Sequence, residues 1–103
     1  MNLQLSIGMA SNPRTWPIFD AKVKPDGIDL IASRVHPSEL FWRQLKFADF
    51  NVSDMSFSSL IMAKCNGDER WVGLPVFTTR KFYHAAILVR RGAGIEKPAD
   101  LKG

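Results

Sequence analysis

The chain has a single cysteine, Cys65, among its 103 residues. One thiol excludes a disulfide framework within the chain and a cysteine-built zinc site. It agrees with a reducing compartment. No apolar run reaches the roughly 18 residues that a transmembrane helix needs, so no membrane span is expected. There is also no basic, apolar, small-residue leader: Met1-Asn2 runs straight into LQLSIG. With Met1 as the start, the expected location is the cytoplasm. Internal repeats and low-complexity stretches are absent, which excludes solenoid and collagen-like chains. No basic stripe with interleaved aromatics occurs, so nucleic acid is not an expected partner.

What is present is an ordinary globular composition. Hydrophobic residues make up 46% and charged residues 23%, enough apolar side chains to build one core. The net charge of +4, from 14 basic and 10 acidic residues, favours anionic partners without naming one.

The pattern along the chain alternates strands and helices. Leu3, Leu5, Ile7 and Met9 recur with period two, a strand signal. A short helix is predicted over Arg14 to Ala21, with Asn12 as cap and Pro13 at its first turn. Pro25-Asp26-Gly27 is a turn signal, and Ile28 to Val35 reads as the second strand. Pro37-Ser38-Glu39 opens a helix whose apolar face holds Leu40, Phe41, Leu45 and Ala48, with the aromatics Phe41, Trp42 and Phe47 read as core. Val52 to Phe57 reads as a short strand. Ser58-Ser59 caps a helix that Asn66-Gly67 stops. Trp71 to Phe77 reads as a fourth strand with Pro75 at an edge or kink. Tyr83 to Arg91, apolar on both faces, reads as a buried strand.

Strands separated by helices predict right-handed βαβ units and a mostly parallel sheet, hence an α/β fold. Two-sided strands need neighbours on both faces, and too few helices are present to supply them. The lobe is therefore expected to be incomplete in this chain. In such sheets ligands bind beyond the carboxyl ends of strands. That rule selects three segments: Ser11 to Thr15, Ser56 to Ser59 and Phe77 to Arg80. Their hydroxyls and arginines suit a carboxylate or phosphate. The same Ser and Thr side chains also serve as plain helix caps.

Three runs resemble a known family: SNPRTWPIFDAKVKPDGIDL, HPSELFWRQLKFADFNVSDMSFSSLIMA and WVGLPVFTTRKFYHAAILVRRGAGIEKPADLKG. They look like the N-terminal part of the 4,5-dihydroxyphthalate decarboxylase family, which is similar to type II periplasmic solute-binding proteins. The resemblance covers essentially the whole chain, although DLKG alone is common to many solute-binding proteins. It implies a three-layer, type II periplasmic-binding-protein-like lobe with a mostly parallel sheet. Residues 1–91 would be the first part of lobe I, βαβαβαβ plus a crossover strand. Residues 92–103 would be the hinge and the start of lobe II, whose remainder is missing here.

Decarboxylating a dihydroxybenzoate-type ring leaves an electron pair on the ring carbon. The chemistry needs an acid to protonate that carbon, an acceptor near the hydroxyls, and cations for the carboxylate that stays. No organic cofactor is required, and no metal site is expected. Arg14 and Arg80 are the candidate carboxylate anchors. Asn12, Thr15, Ser56, Ser58, Thr78 and Thr79 are candidate donors to the ligand. Phe77, with Trp16, Phe57 and Tyr83, is placed to flank a flat ring. His84 is the first candidate for proton transfer, because imidazole titrates near neutral pH. A lone histidine beside Phe82, Ala86 and Leu88 also reads as a hydrogen-bonded core residue. His36 is the second candidate. With Glu39 one turn on, it reads either as a proton-transfer or metal pair or as a plain helix start. Lys81, Arg90 and Arg91 read as solvated charges.

Two function classes follow. One is a cytoplasmic decarboxylase of an aromatic dicarboxylate. The other is a periplasmic substrate-binding protein of an ABC-type importer, with a permease as partner and a small anionic or aromatic solute as cargo.

Overall fold

A computed structural model describes residues 1–102 of the chain. Strand β1 (Leu3–Met9) lies at the centre of a three-stranded sheet of order β2-β1-β3. Strand β2 (Ile28–Arg34) runs parallel to it, with Leu3 opposite Ile28 and Met9 opposite Arg34. Strand β3 (Val52–Ser53) pairs parallel on the other side, with Ile7 opposite Val52. The α/β class and the parallel sheet are as the alternation predicts. Every carboxyl end therefore opens on one edge. No helix among the described residues is long and apolar enough to cross a membrane.

The turn at Pro25-Asp26-Gly27 forms, with Gly27 at a φ of +71° that a side chain would strain. Helix α1 is shorter than predicted: it spans Trp16–Phe19, with Thr15 as its N-cap and Pro17 in its first turn. The reason is local. The Asn12 side chain accepts a hydrogen bond from the Arg14 N–H at 2.9 Å, closing a turn ahead of the helix instead of capping it.

Helix α2 (Pro37–Phe47) starts where predicted. Its N-cap is His36, whose Nδ1 accepts from the Ser38 N–H at 3.3 Å. It ends at Ala48, which adopts a left-handed φ of +53° and so does not extend the apolar face. Leu40 is fully enclosed, while Trp42 and Phe47 are exposed and meet edge to face at 5.1 Å. These two aromatics are thus surface residues and not core. Their apolar rings carry Lys46 over them.

The core is small: Ile7, Met9, Leu40 and Phe50, with Thr15 and Gln44 buried among them. Gly8 lets α2 close on the sheet, since a Cβ there would lie 2.7 Å from Leu40 Cδ1 and 2.9 Å from Phe50 Cδ2. Gln44 works as a clamp. Its Nε2 donates to the Phe50 carbonyl and its Oε1 accepts the Phe50 N–H, both at 3.0 Å. Gln44→Leu strands both backbone groups in a buried site. It is expected to cost about 2 kcal/mol, read as a lower denaturant midpoint with an unchanged slope.

Helix α3 (Phe57–Cys65) begins one residue before the predicted Ser58-Ser59 cap, with Ser56 as N-cap. Phe57 therefore belongs to the helix, and the predicted strand over Val52 to Phe57 contracts to β3. The stop at Asn66-Gly67 is as read, with Gly67 at a φ of +77°. Beyond it, Arg70 grips Asp68 at 2.7 and 2.9 Å and donates to the Leu45 carbonyl at 3.0 Å. These hydrogen bonds hold the Asp68 carboxyl well below the usual carboxylate range.

The predicted strands over Trp71 to Phe77 and Tyr83 to Arg91 do not form. The second is a 3-10 turn at Tyr83–Ala86 followed by irregular chain, and all nine residues are exposed. A strand exists only with a ladder partner, and among the described residues none lies beside this segment. The radius of gyration, 18.2 Å against about 13 Å for a compact domain of this length, records the same thing.

Candidate functional site

The parallel sheet gathers its carboxyl ends into one open cleft of about 630 Å3. That volume falls in the range of small-molecule clefts. Its walls come from the loop after β1 (Ala10 to Arg14), the end of β2 and start of α2 (Arg34 to Pro37), and Thr79, Arg80 and Lys81.

The first wall is braced by hydrogen bonds within its own loop. Thr15 is 2% exposed, so its hydroxyl must find partners inside. Its Oγ1 donates to the Ala10 carbonyl at 2.8 Å and accepts the Asn12 N–H at 3.0 Å. The Asn12 carbonyl in turn accepts from the N–H groups of Thr15 and Trp16. This knot leaves Arg14 exposed on the rim. Thr15 organises the loop and does not line the cleft.

The second wall holds Arg34, which the sequence reading missed. It is the last residue of β2 and stands opposite Met9, so parallel register alone puts it on the ligand edge. Applying the carboxyl-end rule to β2 as well would have found it. Its guanidinium reaches Asp20 at 3.5 Å and lies 4.8 Å from the centre of the Phe19 ring. His36 lines the same wall. Its Nδ1 is occupied by the Ser38 N–H, so the neutral ring carries its proton on Nε2. The pairing of His36 with Glu39 does not form, because Glu39 bonds Arg43 at 3.2 Å.

Of the residues singled out from the sequence, the cleft unites Asn12, Arg14, His36, Thr79 and Arg80. Lys81, read as a solvated charge, joins them. Four cations thus line the space, and no carboxylate does. The remaining residues lie elsewhere. Ser56 and Ser58 face each other at 2.9 Å. Phe77 packs edge to face with Phe57 at 6.2 Å. Trp16 is held by its Nε1 donating to Ser11 Oγ. The Thr78 hydroxyl donates to Asp54 Oδ1 at 2.8 Å. His84 is exposed in the 3-10 turn, its ring 6.0 Å from that of Phe82, away from the cleft lining. It lost its expected place because the strand that would carry it does not form.

The fold and site are thus those of an α/β unit whose crevice lies at the carboxyl edge of a parallel sheet and is lined by cations. No family model matches the chain. It is 38% identical over 101 residues to the 4,5-dihydroxyphthalate decarboxylase of Comamonas testosteroni, a match covering 98% of this chain and 31% of that protein. It is also 38% identical over 101 residues to the protein of the same name from Pseudomonas putida, covering 98% and 39%. The chain spans about a third of the length of the curated relatives it matches.

Proposed function

We propose that the chain is the first part of a 4,5-dihydroxyphthalate decarboxylase-like protein and supplies the carboxylate-anchoring wall of its site. The observation that supports this reading is the cleft with Arg14, Arg34, Arg80 and Lys81 on its lining and no acidic side chain among them. The two relatives point to a dicarboxylate of matching charge. The opposing face of the site would come from a second lobe and the remaining sheet neighbours from a later return of the chain to this one, as in type II periplasmic-binding-protein-like folds.

The reaction needs little beyond positioning and a proton. A ring hydroxyl para to the departing carboxylate releases electrons toward that carbon. The carbon takes a proton, its bond to the carboxylate breaks, carbon dioxide leaves, and the ring regains aromaticity. In this reading the arginines hold the carboxylate that stays, matching its two oxygens with planar donor forks. His36 is the imidazole on the cleft lining and is assigned the proton transfer. As imidazolium, which gives up the Nδ1 contact with the Ser38 N–H, it protonates the ring carbon, and solvent restores its proton.

The test uses the protein encoded by the full reading frame that contains this chain. Added 4,5-dihydroxyphthalate is expected to release one equivalent of carbon dioxide and leave 3,4-dihydroxybenzoate. Saturable binding of the diacid without gas release would refute the enzyme and leave a solute-binding protein.

A further inference from the structure

One side chain outside the cleft joins two of its walls. Asp54 follows β3 directly, and its own N–H donates to the Gly8 carbonyl at 3.0 Å, which fixes it to the central strand. Its carboxylate then splits. Oδ2 accepts the Ala10 N–H at 3.0 Å, at the root of the loop that carries Asn12 and Arg14. Oδ1 accepts the Thr78 hydroxyl at 2.8 Å, immediately before Thr79, Arg80 and Lys81. Among the described residues, this is the one hydrogen bond found between segment 72–82 and the sheet. Asp54 itself is absent from the cleft lining.

We infer that Asp54 is a positioning residue of the anion cleft, which sets Arg80 opposite Arg14 through the Thr78 hydroxyl. The inference rests on the proposed reading of the cleft as a carboxylate site. Hydrogen bonds to an ionised group are the stronger kind, and this one ties to the sheet a segment that is otherwise held by the packing of Phe77 on Phe57 of α3. A released segment spreads Arg80 over many positions, and binding then carries the ordering cost.

The experiment measures phthalate binding by titration calorimetry on the protein of the full reading frame. Thr78→Val is expected to weaken binding about fivefold, and Asp54→Ala, which frees both walls, about twentyfold. Thr78→Ser, which keeps the donor, should bind like the parent. The decisive comparison is made in an Arg80→Ala background. There Thr78→Val should change affinity by less than about twofold, since the residue it positions is gone. An undiminished fivefold loss in that background would show a merely structural role and overturn the inference. So would Thr78→Ser binding as weakly as Thr78→Val. If Arg80→Ala alone leaves phthalate binding intact, the carboxylate reading of the cleft fails together with the inference. If Arg80→Ala weakens binding and Thr78→Val does not, only the inference fails. Thr78→Val perturbs a half-buried surface position, so the comparison survives even if Asp54→Ala does not fold.

Discussion

In the decarboxylase proposed above, made from the full reading frame, Arg14→Ala is expected to raise the KM for 4,5-dihydroxyphthalate by roughly ten- to a hundredfold, the cost of one lost charge-assisted contact to a carboxylate. Arg80→Ala should do the same. Both side chains are exposed on the cleft rim, so the effect belongs to the ligand and leaves the fold alone. Two further features give the prediction its shape. Lysine keeps the charge without the planar donor fork, so Arg14→Lys should fall between parent and alanine. The exposed cations are also screened by salt, so the parent's KM should climb as ionic strength rises, and the alanine variants should respond less. If these arginines grip only the carboxylate that is retained, KM carries most of the loss and kcat little. Steady-state kinetics at two salt concentrations decide it. Unchanged KM in both alanine variants would move the anchoring site out of this segment.

The largest loss of stability is expected from Leu40→Ala, about 3–5 kcal/mol. Leu40 is fully enclosed between α2 and the central strand, in a core of very few side chains. The neighbouring glycine supplies a sharper test. Gly8→Ala would drive a methyl group to 2.7 Å from Leu40 Cδ1, with Phe50 close on the other side. Buried neighbours yield little, so this change should cost about 1–3 kcal/mol alone. In the double variant the methyl enters the space that Leu40 vacates. The two costs should therefore fall short of their sum by at least about 1 kcal/mol, as contacting residues do. Chemical denaturation of the four proteins measures the coupling, and strict additivity would refute the packing argument.

The start of α2 was legible because its signals are short-range and mutually consistent: a proline in the first turn, a carboxylate behind it, and an apolar face opening at Leu40 and Phe41. Strands β1 and β2 were legible as elements because period-two alternation and a Pro-Asp-Gly turn act locally. The segment Tyr83 to Arg91 was not. Its two-sided apolar pattern states a need for burial, and whether that need is met depends on neighbours that no local pattern contains. The site divides along the same line. Asn12 and Arg14 follow from the topological rule for parallel sheets, whereas Thr79 and Arg80 were selected behind a strand that does not form and reach the cleft as irregular chain. Arg34 follows from strand register. The diversion of the Thr78 hydroxyl to Asp54 joins residues 24 apart and is visible only in three dimensions.

The order β2-β1-β3 also bears on how the chain reaches its fold. No rung of this sheet is a hairpin. Leu3 waits for Ile28, and Ser6 meets Asn51 across 45 residues. The entropy of closing such loops is spent before any rung returns it, so assembly is slow compared with a helical bundle of this size. Helix α2 needs only its own residues to begin. It can form early and present Leu40 as the surface on which β1 condenses. The cleft's three walls, at residues 10–14, 34–37 and 79–81, are joined only by such long closures.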